Sequence, residues 1–177
     1  MSENKKEIRF LQLVDENFED LELWYPVLRA REAGITVELA GKEKNKVYNG
    51  KHGVPATTDI SFSEVKPGDY NGIMIPGGWA PDKLRRYPEL LEIVRQLNRD
   101  KKIIAEICHA GWVLISANVL KGRKVTSTPA IRDDMVNAGA LWKDEPVVVD
   151  GNLVSSQGPK DLPAYMKAVL QLVNPEA

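Results

Sequence analysis

Residues 101–120 read KKIIAEICHAGWVLISANVL, and the reading of this stretch decides the fold. Its first seven residues form a short apolar run rich in isoleucine, the signature of a buried strand, and residues 109–120 read as the helix that follows. A strand that passes straight into a helix is the βα step of a parallel sheet, because parallel neighbours are reached only through a crossover. At the junction stand Cys108, the one cysteine of the chain, and His109, one of its two histidines.

Working outward, EIRFLQLV (residues 7–14) reads as a buried strand and residues 19–33 as a helix, with Leu21, Trp24, Tyr25 and Leu28 on its inward face. Pro26 removes a donor inside that helix and predicts a kink. Gly34 supplies a stop and TVELAG (36–41) a second strand, so the chain opens as βαβ. The Gly-rich NGKHGVP predicts a hairpin excursion between residues 45 and 58, and DYNGIMIP (69–76) a strand covered on both faces. Residues 81–99 read as a helix that Pro88 breaks in two, KVTS (124–127) as a strand, and residues 130–140 as a helix ending near Gly139. VVVDGNLVSS (147–156) reads as a hairpin, and residues 162–173 as a last helix.

This alternation predicts an α/β fold with a mostly parallel central sheet, helices on both faces and right-handed crossovers. A chain of 177 residues fits one domain, 1–177, and ligands of such sheets bind beyond the carboxyl ends of the strands. The formal net charge of −1 gives no electrostatic reason to expect nucleic acid or a membrane surface. MSENKKE has no apolar signal core and no stretch approaches the length of a membrane span, so the expected location is cytoplasmic. A single cysteine and two separated histidines make no metal-ligand spacing, so neither a metal nor a cofactor is expected.

Cys108 falls where a nucleophile elbow would sit, although Glu106 occupies the place of the first glycine of the Gly-x-Cys-x-Gly pattern. The helix start and a neighbouring imidazolium both predict a lowered thiol pKa; from the ordinary value only about 3% is thiolate at pH 7. Pro76-Gly77-Gly78 ends another strand and lets backbone amides approach a ligand, so the amides of Gly78 and His109 are the candidate oxyanion hole. Glu19 opens the first helix at the same sheet edge and is the candidate acid, with Glu22 a fainter one a turn later. His52 reads as surface, Trp112 as core, and Trp79 as a substrate wall or a subunit contact.

The blocks FEDLE, PGGWAPDKLR, ICHAGWVLISANVLKGRKVTS, DDMVNAGA and VVVDGNLVSS together resemble the PfpI-like intracellular cysteine peptidase family. That family lies within the superfamily of the Parkinson-associated deglycase and the class I glutamine amidotransferases. The resemblance implies a flavodoxin-like three-layer sandwich, Cys108 as nucleophile, His109 as its partner, and Glu19 sharing a proton with the thiol. It also implies a third acid, Asp82, supplied by a neighbouring subunit of a homo-oligomer, a dimer or hexamer. Gly77, Trp79 and Thr128 are then the candidate substrate contacts. Relatives often read Cys-His-Gly-Pro where this chain has Cys108-His109-Ala110-Gly111, which bears on substrate preference. The implied activity is a cysteine-dependent hydrolase acting on aldehyde (glycation) adducts, small amides or peptides. The rival is a non-enzymatic oxidative-stress sensor working through oxidation of Cys108. An amidotransferase is disfavoured because no His-x-Glu is present.

Overall fold

The computed structural model describes residues 7–174; the reading of the first six residues as a leaderless polar start lies outside them. In chain order the strands are β1 (Arg9–Leu13), β2 (Thr36–Gly41), β3 (Val47–Asn49), β4 (Pro55–Thr57), β5 (Ile60–Ser61), β6 (Gly72–Ile75), β7 (Ile103–Ile107), β8 (Lys124–Val125), β9 (Leu141–Trp142), β10 (Val147–Asp150) and β11 (Leu153–Ser156). The helices are α1 (Asp20–Glu32), α2 (Ala80–Leu84), α3 (Pro88–Arg99), α4 (Gly111–Ser116), α5 (Arg132–Asn137) and α6 (Leu162–Val173).

Seven strands form the main sheet in the order β10-β11-β7-β6-β1-β2-β5. Every pairing is parallel except β10 with β11, the hairpin at one edge. Helices α1 and α6 cover one face, and α3 with α2, α4 and α5 cover the other, giving the three-layer flavodoxin-like sandwich. Double coverage is why β1 and β6 carry apolar residues without alternation: Phe10, Leu11 and Leu13 are all fully buried, although they point to opposite faces. Helix α3 starts on Pro88, which needs no amide partner, and buries Leu90, Ile93, Val94 and Leu97, an i, i+3, i+4, i+7 stripe.

Several expectations shift. Helix α1 runs through Pro26, but its buried side is Glu22, Leu23, Pro26, Val27 and Ala30, while Leu21 and Leu28 are 58% and 60% exposed. The helix is therefore rotated from the predicted phase, and Glu22 lies at the edge of its buried side. The helix after Cys108 is shorter than predicted: a 3-10 turn over Cys108–Ala110 leads into α4, which ends at Ser116. Strand β8 does not join the main sheet; it pairs in parallel with β9. The hairpin excursion is β3–β4, antiparallel as expected. No helix among the described residues is long and apolar enough to cross a membrane.

Candidate active site

The central strand β7 delivers Cys108 at its carboxyl end with φ +62°, a left-handed conformation that costs an L-residue on the order of 1–3 kcal/mol. The turn lifts the side chain off the sheet instead of letting it follow the strand. Its carbonyl accepts a hydrogen bond from the Thr128 amide at 3.2 Å, which ties the loop after β8 to the elbow. Thr128 thus reaches the site through its backbone.

Opposite the thiol lies the loop after β6. A β-carbon on Gly77 would stand 2.7 Å from Cys108 Cβ and 2.4 Å from Glu22 Oε2, so only glycine permits this approach. Gly78 adopts φ +73° and bridges to Phe18; the Glu19 amide donates to the Gly77 carbonyl at 3.2 Å and the Trp79 amide to the Asn17 carbonyl at 2.8 Å. Residues 17–19 therefore clamp the Pro-Gly-Gly loop over Cys108. In this arrangement the amides of Gly78 and His109 face the sulfur and favour its anion.

The acid beside the thiol is Glu22, one turn beyond the residue the sequence favoured. Its Oε2 accepts from the Gly77 amide at 2.8 Å, its carboxyl lies beside the Cys108 thiol, and its Oε1 is buried with no hydrogen-bond partner among the described residues. Glu19 instead caps α1: its Oε2 accepts from the Glu22 amide at 2.9 Å, and its Oε1 faces His52 Nε2 at 3.9 Å. Burial, and then the charge of Glu19, push the Glu22 carboxyl up to about 8. Burial, and then the charge of Glu22, push the Cys108 thiol up to about 12, against the pull of the two amides. The expected lowered thiol is thereby corrected. Two touching anions removed from water cannot both ionise, so the pair holds one proton past neutrality.

His109 places Nδ1 at 3.3 Å from the sulfur. Its burial, and then the nearby charge of Lys51, lower its pKa, so it stands as a neutral imidazole rather than the imidazolium expected. A neutral ring can accept a proton, which an imidazolium cannot. The ring lies between Trp79, at 5.9 Å between centroids, and Trp112, at 5.1 Å. Trp79 is 61% exposed at the mouth. Trp112 is half-buried rather than core, with its indole donating to Asp134 at 2.8 Å. Asp82 pairs with Arg86 at 2.6 Å on the outer side of α2 and makes no hydrogen bond to His109 of its own chain among the described residues.

Sequence reasoning predicted the hairpin that contains residues 50–54 but missed its anchoring against the site. The Asp20 carboxylate accepts the amides of His52 and Val54, each at 2.9 Å, and a β-carbon on Gly50 would stand 2.4 Å from it. The Lys51 amide donates to the Phe18 carbonyl at 2.9 Å, fixing the turn beside the elbow. Glu19, Asp20 and His52 each bring a ligand-type atom within 4.8 Å of the others. Both Asp20 oxygens already serve amides, however, and one Glu19 oxygen caps a helix. The trio is invisible in sequence because His52 lies 32 residues from Asp20. Elsewhere, a cleft of about 990 Å³ between Ile8, Arg29, Ile35 and Lys167 opens at the opposite end of the strands, away from the thiol.

The sequence profile of the DJ-1/PfpI family matches residues 8–172. The chain belongs to that family. It is similar to the deglycase PfpI of Pyrococcus furiosus, with 46% identity over 166 residues covering 94% of this chain and 99% of that protein. It is also similar to the putative cysteine protease YraA of Bacillus subtilis, with 40% identity covering 91% and 95%. Among solved structures, a two-domain protein of Anabaena variabilis containing DJ-1/ThiJ/PfpI-like and ferritin-like domains superposes with a TM-score of 0.93 at 36% identity. The match covers 94% of this chain and 48% of that one, so this chain spans about half of the two-domain protein. Relatives within the DJ-1/PfpI family thus carry enzyme names, a deglycase and a protease among them.

Proposed function

We propose that this protein is a cysteine-dependent hydrolase that acts on aldehyde-derived (glycation) adducts, with small amides or peptides open to the same acyl chemistry. The observation that carries the reading is the neutral His109 Nδ1 at 3.3 Å from the sulfur of an elbow cysteine. The thiol is mostly protonated at neutral pH, so it needs a base at the moment of attack, and His109 is in place to take its proton. As sulfur adds to the substrate carbonyl, the oxygen that gains charge meets the amides of Gly78 and His109. Glu22, protonated below about pH 8, donates a hydrogen bond to the sulfur without opposing its charge.

For an amide, collapse of the tetrahedral adduct expels the amine, which takes the proton from His109; water then attacks the thioester and restores the thiol. For the hemiaminal of an amine with methylglyoxal, water is consumed and the amine and lactate are released. The aldehyde carbon is oxidised and the ketone carbon reduced within one molecule, so no outside oxidant is needed. His109 accepts a proton on Nδ1 only as the tautomer that carries hydrogen on Nε2, which calls for an acid beyond it. Asp82 of a neighbouring subunit is our proposal for that acid.

The oxidation-sensor reading is disfavoured by the same chemistry, because a thiol pushed up to about 12 has little thiolate to oxidise. The test is lactate release from methylglyoxal adducts of N-acetylated amino acids, beside fluorogenic peptides, with Cys108→Ala as control. Turnover that depends on Cys108 is expected. Stoichiometric thiol oxidation with no turnover of any of these would overturn the proposal.

A further inference from the structure

Beyond the charge that Lys51 lends to His109, the turn at residues 50–54 takes no part in the chemistry above, yet its backbone is anchored against the site. Asp20 holds two of its amides, Phe18 accepts a third from Lys51, and Phe18 in turn bridges to Gly78, the oxyanion loop. The Lys51 backbone is therefore fixed two hydrogen-bonded steps from the loop that faces Cys108. Its side chain is exposed and has no ion-pair partner within 4 Å among the described residues. The acids that face the turn have other partners: Asp20 holds amides, Glu19 serves the α1 cap and His52, and Glu16 accepts the Asn49 amide.

Resting on the hydrolase reading, we propose that Lys51 sets substrate class: the site takes carbonyl adducts that carry a carboxylate, as adducts of free amino acids or thiol acids do, with that carboxylate against Lys51 and the carbonyl over Cys108. The charge of Lys51 is felt at both functional neighbours of the thiol, Glu22 and His109. A cation that acts on those groups acts on an anion bound between them. The aromatic faces of Trp79 and His109 supply the apolar side of the same mouth. A lysine with its backbone held beside the site and no ion-pair partner among the described residues selects by charge without contributing to the bond-making step, so it discriminates between substrates of equal size.

The experiment compares iodoacetate with iodoacetamide as alkylating agents of Cys108, two probes alike in size and leaving group and different in charge. The ratio of their rate constants cancels changes in the thiol itself. In Lys51→Gln the iodoacetate-to-iodoacetamide ratio is expected to fall roughly three- to tenfold at low salt, the effect of one charge within about 10 Å. Lys51→Arg should keep the ratio, and 1 M salt should erase the preference in the wild type. A ratio unmoved by Lys51→Gln overturns the inference. In a second arm, kcat/KM is measured for the methylglyoxal adducts of N-acetylcysteine and N-acetylcysteine amide, and the anionic adduct's advantage should vanish in Lys51→Gln. If neither adduct is turned over by the wild type, the hydrolase reading fails while the alkylation ratio still decides the role of Lys51.

Discussion

Glu22→Gln separates the two ways in which a carboxyl can act on a thiol. In the wild type the first proton leaves the Glu22–Cys108 pair near pH 8 and the second near 12. Between those values Glu22 is charged, and its charge holds the thiolate population down. Two charges in van der Waals contact, about 4 Å apart, interact by roughly 4 kcal/mol at an effective dielectric constant near 20, worth close to three decades in thiolate population. Glutamine keeps the size of the side chain and removes the charge, so the thiol of the variant titrates once, well below 12. The assay is the iodoacetamide rate from pH 6 to 11. At pH 7, where wild-type Glu22 is mostly neutral, the two proteins should agree within severalfold. At pH 10 the variant should react at least tenfold faster, because the wild type is held on a plateau. Equal rates at pH 10, or a wild-type profile with one inflection well below pH 7, would refute the shared-proton reasoning.

Three further outcomes follow from other parts of the site. Gly77→Ala forces a methyl group to within 2.7 Å of Cys108 Cβ and 2.4 Å of Glu22 Oε2; it should destabilise the fold by about 1–3 kcal/mol in chemical denaturation and abolish turnover. The Glu22 carboxyl is raised from 4.5 to about 8 by folding, so the native state binds the extra proton. Its contribution to stability is full below pH 4.5 and is lost as pH rises toward 8, on the order of 4–5 kcal/mol in all. Melting temperatures should therefore fall between pH 5 and 8.5, and Glu22→Gln should flatten that slope; an identical slope in the variant would reject the buried-carboxyl assignment. Finally, inactive Cys108→Ala and inactive Asp82→Ala subunits should regain activity when exchanged into hybrids, and an active wild type that sediments as a monomer would contradict a shared site.

The fold was legible because its strands are covered on both faces. Residues 9–13, 72–75 and 103–107 read as mostly apolar runs without regular alternation, interrupted only by Arg9, Gln12 and Glu106, and glycine or proline marks the turns after β6 and β7. Less legible were the elements fixed by distant partners. The segment after Lys124 has strand composition, but its two-residue pairing goes to Leu141 and Trp142 rather than to the main sheet, a choice made by where the chain returns. The turn that carries Lys51 is exposed, as its composition suggests, but its anchoring was unreadable for the same reason: its anchors are Phe18 and Asp20, more than thirty residues earlier.

At α1 both the phase and the acid differ from the sequence reading. Leu21, Trp24, Tyr25 and Leu28 form one apolar stripe, and Leu23, Val27 and Ala30 form another about 200° further round, so periodicity offers two phases for the same helix. With the first stripe inward, Glu22 lies about 110° round the helix from the stripe's centre, and Glu19, at the cap, is the favoured acid with Glu22 the fainter one. With the second inward, as the structure has it, Glu22 stands at the margin of the buried face, about as far round from that stripe's centre, and finds the Gly77 amide at 2.8 Å. An ionisable side chain is usually an argument against burying a face, since an unpaired carboxylate there costs several kcal/mol. Here the argument runs the other way. The face that carries Glu22 is inward because Gly77 and Cys108 meet the carboxyl there, and its proton relieves the cost of burial. The identity of the acid is contained in no pattern within residues 19–33, because its cause lies in the glycine loop after β6 and at the end of β7.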